Sequence, residues 1–284
     1  MKHKITLAIM LITTCIACSG CQNNEHSSQI AKGTIETVTD FYSPELDKSF
    51  TITIYLPPNY ATSDINYPVI YMFDGQNLFD SETATYHKEW QIDESLDSLY
   101  AQNKTEGFIV VGADSFKNRT VEYNLYMNNT SNGIYGKAPE TAEFYTNTLK
   151  TYIDENYRTL PDKENTGIIG ASYGAVVAAC TSISYTDTYG FIGLYSYYDN
   201  QSPYKMRDYI TENVTTSNFT DTPIYFCAAS CDFAKKSTEI AYQTATDNGL
   251  THITYEIAEG EHDEYSWGSH FISCLEFWGW LANK

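Results

Sequence analysis

Positive charge is scarce in this chain. Its 17 lysines and arginines stand against 36 aspartates and glutamates, a formal net charge of −19 over 284 residues. Polyphosphate backbones are bound by clustered cations, so the imbalance argues against any nucleic-acid partner. Long apolar runs are also rare: the stretch Ile5 to Ile12 falls well short of the roughly 20 residues that a spanning helix needs. None of the seven cysteines has a histidine at zinc-ligand spacing, so no metal site is expected, and nothing in the sequence calls for a cofactor. There is no internal repeat, and no low-complexity tract beyond the short polar stretch Gln22 to Gln29. Repeat and disordered architectures are thereby set aside.

The amino terminus reads as an address. Lys2 and Lys4 give a positive start, Ile5 to Ile12 an apolar centre, and small residues with cysteines follow. Cys18-Ser19-Gly20-Cys21 resembles a bacterial lipobox with Gly20 before an acylated Cys21; Cys15-Ile16-Ala17-Cys18 is the rival, with Cys18 as the lipidated residue. The division expected is a lipoprotein signal over 1–20, a tether over 21–29 and one catalytic-size domain over 30–284. Acylation would hold the mature chain at a membrane surface of the bacterial cell envelope without a spanning helix, facing the periplasm or the exterior.

Past that point the pattern is α/β. Two early antiparallel strands are expected near Gly33 to Phe41 and Ser49 to Leu56. A doubly wound, mostly parallel sheet flanked by helices follows, with strands at Val69 to Phe73, Phe108 to Ala113, Gly167 to Gly170, Gly190 to Tyr195, Ile224 to Ala229 and Ile253 to Ile257. Tyr145, Leu149 and Ile153 recur at helical spacing between Glu140 and Asn156, and a last helical pattern runs from about Gly268 to Leu281. Ser115 to Lys137 has no periodicity and is long for a connection, which suggests a lid or pocket wall. Of the four cysteines outside the leader, Cys227 and Cys231 are the pair to test for a disulfide; free core cysteines are the default for the rest.

The chemistry centres on Gly170-Ala171-Ser172-Tyr173-Gly174, which follows an apolar strand pattern and precedes the small-residue helix pattern Ala175 to Cys180. G-x-S-x-G between a strand and a helix places a serine on a sharp turn, with the helix's positive end behind it. A serine hydroxyl needs a base and the base needs an orienting acid. Five of the six histidines lie in the leader (His3), in the polar stretch after it (His26), ahead of a helical segment (His87), or in strand and helix patterns (His252, His270). His262 alone sits in a polar loop between the last strand and the last helix. Asp232 directly follows the strand Ile224 to Ala229, ahead of Glu239 on the next helix and of Asp263, which is adjacent to the histidine and badly placed to accept from its ring. Capping of the run Phe233-Ala234-Lys235-Lys236 is the competing role for Asp232.

Tyr55-Leu56-Pro57-Pro58-Asn59-Tyr60, the run Asp74-Gly75-Gln76-Asn77-Leu78-Phe79-Asp80, Glu89-Trp90-Gln91-Ile92-Asp93-Glu94, Tyr152 to Thr159 and Gly260-Glu261-His262-Asp263 with Trp267 carry a family resemblance. They are similar to the putative esterase family, which includes esterase D, feruloyl and acetyl-xylan esterases, siderophore esterases and the antigen 85 acyltransferases. The resemblance implies an α/β-hydrolase fold, a triad of Ser172, Asp232 and His262, and an oxyanion hole from the backbone N–H groups of Gln76 and Tyr173. It also implies a small-molecule or glycan ester as substrate, feruloyl or acetyl esters first; siderophore-ester hydrolysis, acyl transfer to a sugar and a non-catalytic glycan-binding relic are the alternatives. The chain has Gly174-Ala175 where the family usually has Gly-Gly, a small change expected to leave the chemistry intact, and Ser196-Tyr197-Tyr198 where it has Ser-Pro-aromatic, a departure in the segment that faces the acyl or alcohol pocket. Trp90 either covers the start of a helix whose stripe is Ile92, Leu96 and Leu99 or lines the cleft; Tyr197, Tyr198 and Trp267 are further candidates for substrate contact. No lysine or arginine is evident beside Ser172 or His262, so neutral esters are expected to be preferred over polyanions.

Overall fold

Apolar runs bounded by turn residues become buried strands, because a parallel strand covered on both faces has no solvent side to mark with polar residues. Val69–Phe73 and Ile224–Ala229 are buried at every position and have the limits the sequence suggests. The computed structural model describes residues 31–115, 118–125, 128–129, 134–198 and 203–282. Cys18, Cys21, the signal segment and the tether lie outside these residues.

Among the described residues the main sheet has eight strands. They are β1 (Thr34–Ser43), β2 (Lys48–Leu56), β3 (Val69–Phe73), β4 (Ile109–Ala113), β7 (Thr166–Ala171), β8 (Phe191–Tyr195), β9 (Ile224–Ala229) and β10 (Ile253–Ala258), in the order β1-β2-β4-β3-β7-β8-β9-β10. β1 and β2 are antiparallel, β2 meets β4 antiparallel, and the remainder is parallel. Asn128–Asn129 (β5) and Ile134–Tyr135 (β6) form a separate two-stranded ribbon. The helices are α1 (Ile92–Ala101), α2 (Arg119–Glu122), α3 (Ala138–Glu143), α4 (Lys150–Asn156), α5 (Tyr173–Ser184), α6 (Pro203–Asn213), α7 (Thr216–Phe219), α8 (Lys235–Asp247), α9 (Glu264–Gly268) and α10 (Phe271–Phe277). Two apolar clusters sit on opposite faces of the sheet: Ile52, Val111, Ile168 and α5 on one, and Ile70, Val110, Ile169 with Trp267 and Phe271 on the other. Successive residues of one strand enter different clusters, as the period of two requires.

This arrangement is an α/β-hydrolase fold. Connections from β3 run to β4 on one side and later to β7 on the other, so the loops after β3 and β7 flank the crevice where strand order reverses. Three local features differ from the sequence expectation. The segment 138–156 is helical throughout but carries a π-helical stretch, Phe144–Leu149, that joins α3 to α4; Tyr145, Leu149 and Ile153 are still its buried stripe. The carboxy-terminal helix, expected from about Gly268 to Leu281, is the shorter α10, and a separate short helix, α9, precedes it. Cys180, Cys227, Cys231 and Cys274 are all free, so the Cys227–Cys231 pair is not a disulfide; Cys227 is buried in β9 and Cys231 is exposed beyond it. Among the described residues, no helix is long and apolar enough to cross a membrane.

Candidate active site

Five neighbouring strands deliver five polar side chains to one end of the sheet. Gln76 follows β3, Ser172 follows β7, Ser196 follows β8, Asp232 follows β9 and His262 follows β10. Backbone bonds beyond the strand ends hold these exits together: Ser172 N–H donates to the Tyr195 carbonyl at 2.9 Å, Ser196 N–H to Cys227 at 2.7 Å and Ser230 N–H to Ala258 at 2.7 Å. Ser172 has φ 57° and ψ −123°, a conformation that L-residues avoid and that surrounding contacts must impose. The flanking glycines permit it. A Cβ on Gly170 would lie 2.1 Å from the Gly174 carbonyl oxygen, and one on Gly174 would lie 3.3 Å from Phe73 Cβ. α5 starts at Tyr173, so its positive end faces the Ser172 hydroxyl.

Ser172 Oγ is 2.9 Å from His262 Nε2, and His262 Nδ1 is 2.8 Å from Asp232 Oδ1. A carboxylate only accepts, so in the neutral imidazole Nδ1 carries the proton and Nε2 accepts from the serine hydroxyl. The Asp232 side chain is wholly buried. Burial alone would raise its pKa, but hydrogen bonds from His262 and Ser196, the His262 charge and the Ala234 N–H outweigh it, and the carboxyl is held below the usual range. Oδ1 also accepts from the Ala234 N–H at 2.6 Å, a local turn contact; α8 begins only at Lys235 with Ala234 at its cap position, so Asp232 does not cap the helix as the competing role would require. Its other oxygen accepts from Ser196 Oγ, which in turn accepts from Trp267 Nε1 at 2.7 Å. The imidazole is held between rings, with Phe233 stacked at 4.2 Å and Trp267 edge-on at 5.0 Å.

Ser172 and His262 open into a cavity of about 1230 Å³ that Gln76 and Trp267 also line and that reaches the β1–β2 hairpin at Asp40 and Lys48. Among the described residues three cations border it, Arg119, Lys88 and Lys48, where none was expected beside Ser172 or His262. Each is already paired. Lys88 meets Asp263 at 2.6 Å and Lys48 meets Glu122 at 2.7 Å. Arg119 forks onto both oxygens of Asp74 at 2.7 Å, with Nη2 also 3.4 Å from the Ala171 carbonyl. Burial works against the guanidinium charge, but Asp74 outweighs it and keeps Arg119 protonated. Arg119 thereby joins the turn that carries Gln76 to the residue before Ser172. Asp74 itself has φ 62°, and its Oδ1 also accepts from Ser115 Oγ. Two other acids on the wall behave differently from Asp232. Burial pushes Glu264 up to about 7 and Asp114 up to about 6, with the Asp74 charge adding to both.

Of the remaining sequence candidates, Trp267 borders the cavity and Trp90 does not. Trp90 is 3% exposed and packs behind, 5.7 Å from Trp267 and 5.0 Å from Tyr195. Tyr197 is buried in the core, and Tyr198 is half-buried against Tyr173 and Phe233; neither is among the lining residues. Gln76 lies on the cavity wall in the short turn Gly75–Asn77, and Tyr173 is the first residue of α5. The segment after Ser115 does border the cavity, through Ser115, Asn118 and Arg119. Sequence reading missed Arg119, Phe233 and the exposed Tyr86 at the mouth. Only the charge of Arg119 in an aperiodic stretch could have drawn attention.

Comparison with known proteins agrees with this architecture. A curated relative, "Uncharacterized protein YbbA" of Bacillus subtilis (strain 168), is 26% identical over 155 residues, which cover 52% of this chain and 58% of that protein. A solved ferulic acid esterase superposes with a TM-score of 0.70 at 19% identity, over 87% of this chain and 97% of that one. The enterobactin esterase FES from Shigella flexneri gives a TM-score of 0.63 at 14% identity, over 87% of this chain and 59% of its own. At such identities the structural likeness speaks to the fold. The family described as "Putative esterase" matches residues 43–278, nearly all of the chain beyond its first strand, and on that match the chain belongs to the putative esterase family.

Proposed function

We propose that this chain is a serine carboxylic-ester hydrolase that works through an acyl-enzyme. The observation that carries the reading is the hydrogen-bonded series Asp232–His262–Ser172 ending in an open cavity. Ser172 Oγ attacks the ester carbonyl as its proton passes to His262 Nε2, and the imidazolium that forms is stabilised by Asp232. The backbone N–H groups of Gln76 and Tyr173 and the start of α5 receive the negative oxygen. Collapse expels the alcohol, which takes the proton from His262, and water then repeats the sequence to release the acid and restore Ser172.

Feruloyl or acetyl esters of a glycan are the substrates best supported. The cleft is edged by Trp267 and Tyr86, rings suited to stacking on a sugar or a phenol, with Asp114, Asp263 and Glu264 among its polar groups. A solved structural neighbour is named a ferulic acid esterase. The second reading, hydrolysis of a polyanionic siderophore ester, is favoured by the enterobactin esterase likeness and by the three cations at the cavity. Their existing ion pairs weigh against it, because an incoming anion must displace a carboxylate from each. Lipidation at Cys21, with attachment to the envelope membrane, completes the proposal; release of Cys21→Ser from the membrane fraction is its check.

A fluorophosphonate probe with peptide mass spectrometry tests the mechanism, and an adduct on Ser172 is expected. No adduct, together with no turnover of any acetyl, aryl or feruloyl ester, overturns the reading. Substrate class is decided by kcat/KM for a neutral feruloyl sugar ester and for a ferric tris-catecholate from about 10 to 200 mM salt, where the Debye length shrinks from about 30 to below 10 Å. The neutral ester should win, with salt raising only the anion's rate. Preference for the polyanion that weakens with salt would put the siderophore reading first.

A further inference from the structure

No residue of the motif Glu89-Trp90-Gln91-Ile92-Asp93-Glu94 lines the cavity; Trp90 only packs behind Trp267. The motif's carboxylates do something else. One oxygen from each of Glu89, Asp93 and Glu94 lies within 4.8 Å of the other two. Gln91 makes the encounter possible: its left-handed backbone, φ 57° and ψ 44°, turns the chain just before α1 and brings Glu89 to the first helical turn. Acidic residues in a first turn are ordinary, since the helix's positive end favours them. That explains Asp93 and Glu94 and leaves Glu89 unexplained.

Glu89 lies outside the helix and is only 8% exposed, and its Oε2 is buried without a hydrogen-bond partner. Asp93 Oδ1 is buried and unpartnered as well. Burial, with the charge of Glu94, raises both carboxyls above their ordinary range. Among the described residues no lysine or arginine forms an ion pair with any of the three. Uncompensated carboxylates held together cost stability unless a cation joins them.

We propose that Glu89, Asp93 and Glu94 form a binding site for one hard divalent cation, calcium before magnesium. The donors are all carboxylate oxygens, which calcium accepts singly or in pairs with water completing the shell, whereas magnesium demands a stricter octahedron. With no nitrogen or sulfur donor in the set, zinc and copper are disfavoured. The bound ion ties the segment before α1 to the helix. It also braces the cavity from behind, because Lys88 holds Asp263 next to His262 and Trp90 N–H donates to the Asn77 carbonyl at 2.9 Å.

The test uses the full chain, stripped with a chelator and titrated with calcium chloride by calorimetry, with melting temperature followed in parallel. One ion per chain is expected, with Kd between about 10⁻⁶ and 10⁻³ M and magnesium at least about tenfold weaker. The melting temperature should climb with free calcium. E89Q should weaken binding by about tenfold or more and lose the calcium-dependent rise, while its metal-free melting temperature stays level or increases, as removal of an unpaired buried charge requires. D93N is the second variant and decides the matter if E89Q does not fold. Absence of heat and of any thermal shift up to about 10 mM calcium, well beyond the weakest protein sites, overturns the proposal. So does parent-like binding by a folded E89Q or D93N.

Discussion

Asp232 and Glu264 are almost equally hidden, 7% and 8% exposed, and both stand close to His262 in sequence or in space, yet they titrate in opposite directions. Burial raises both. Asp232 overcomes it by accepting from His262, Ser196 and the Ala234 N–H; Glu264 accepts from Asn77 Nδ2 at 2.7 Å and lies near the negative charges of Asp74 and Asp263. The number of donors, not depth, decides which carboxyl stays ionised at neutral pH. A fixed charge thus stands behind His262, and the cavity wall carries an acid that ionises near pH 7.

The comparison fails outright if the Asp232 side is not the reacting one. Ser172→Ala and His262→Ala, with the fold checked by circular dichroism, should each lower kcat on p-nitrophenyl acetate by about 10⁴-fold or more. Most of the activity surviving in either variant would sink the mechanism. Asp232→Asn keeps the volume and removes the charge, and a loss of at most about 10⁴-fold is expected, because the imidazole loses its tautomer lock and its counter-charge. An equal loss in Glu264→Gln would mean that the two acids have been given each other's roles.

Finer removals sharpen the contrast. Ser196→Ala deletes one donor to the charged Asp232 and should reduce kcat by about tenfold with KM little changed, the size of one hydrogen bond to an ion. Glu264→Gln should change kcat by less than about threefold but alter the pH dependence of stability. The Glu264 carboxyl titrates near 7 when folded, above its unfolded value, so between about pH 4.5 and 7 the native state holds more protons and stability falls as pH rises. Glutamine cannot ionise. Thermal melts from pH 5 to 8 should therefore show the parent losing on the order of 2 kcal/mol more than Glu264→Gln; parallel curves would refute the raised carboxyl.

How much of this was legible beforehand differs by region. Strands β3 and β9 are apolar from end to end, and Ser172 and Asp232 each follow an apolar run, so local pattern placed those two at strand ends; His262 follows the alternating strand β10 and was legible from its polar loop before the last helix. What pattern could not supply was lateral contact between loops. Arg119 sits in a stretch with no periodicity, and its bonds to Asp74 and Ala171 span 45 and 52 residues of chain. Trp90 was undecided between core and cleft because a helix start offers both; the close approach of Trp267 settles it behind the wall. Ser196 was visible only as part of a pocket segment, and its bond to Asp232 depends on β8 and β9 being neighbours.

The bond from Trp267 Nε1 through Ser196 to Asp232 has an optical consequence. An indole N–H that donates into a carboxylate relay, with an imidazole edge 5.0 Å from its ring, sits in a local field that changes whenever a proton enters or leaves the site. Trp267 is thus a fluorophore hydrogen-bonded into the Asp232–His262–Ser172 series, and Trp90, 5.7 Å away, lies near enough to pass excitation to it. Acylation or protonation of this site is open to being followed by intrinsic emission, without a chromogenic ester.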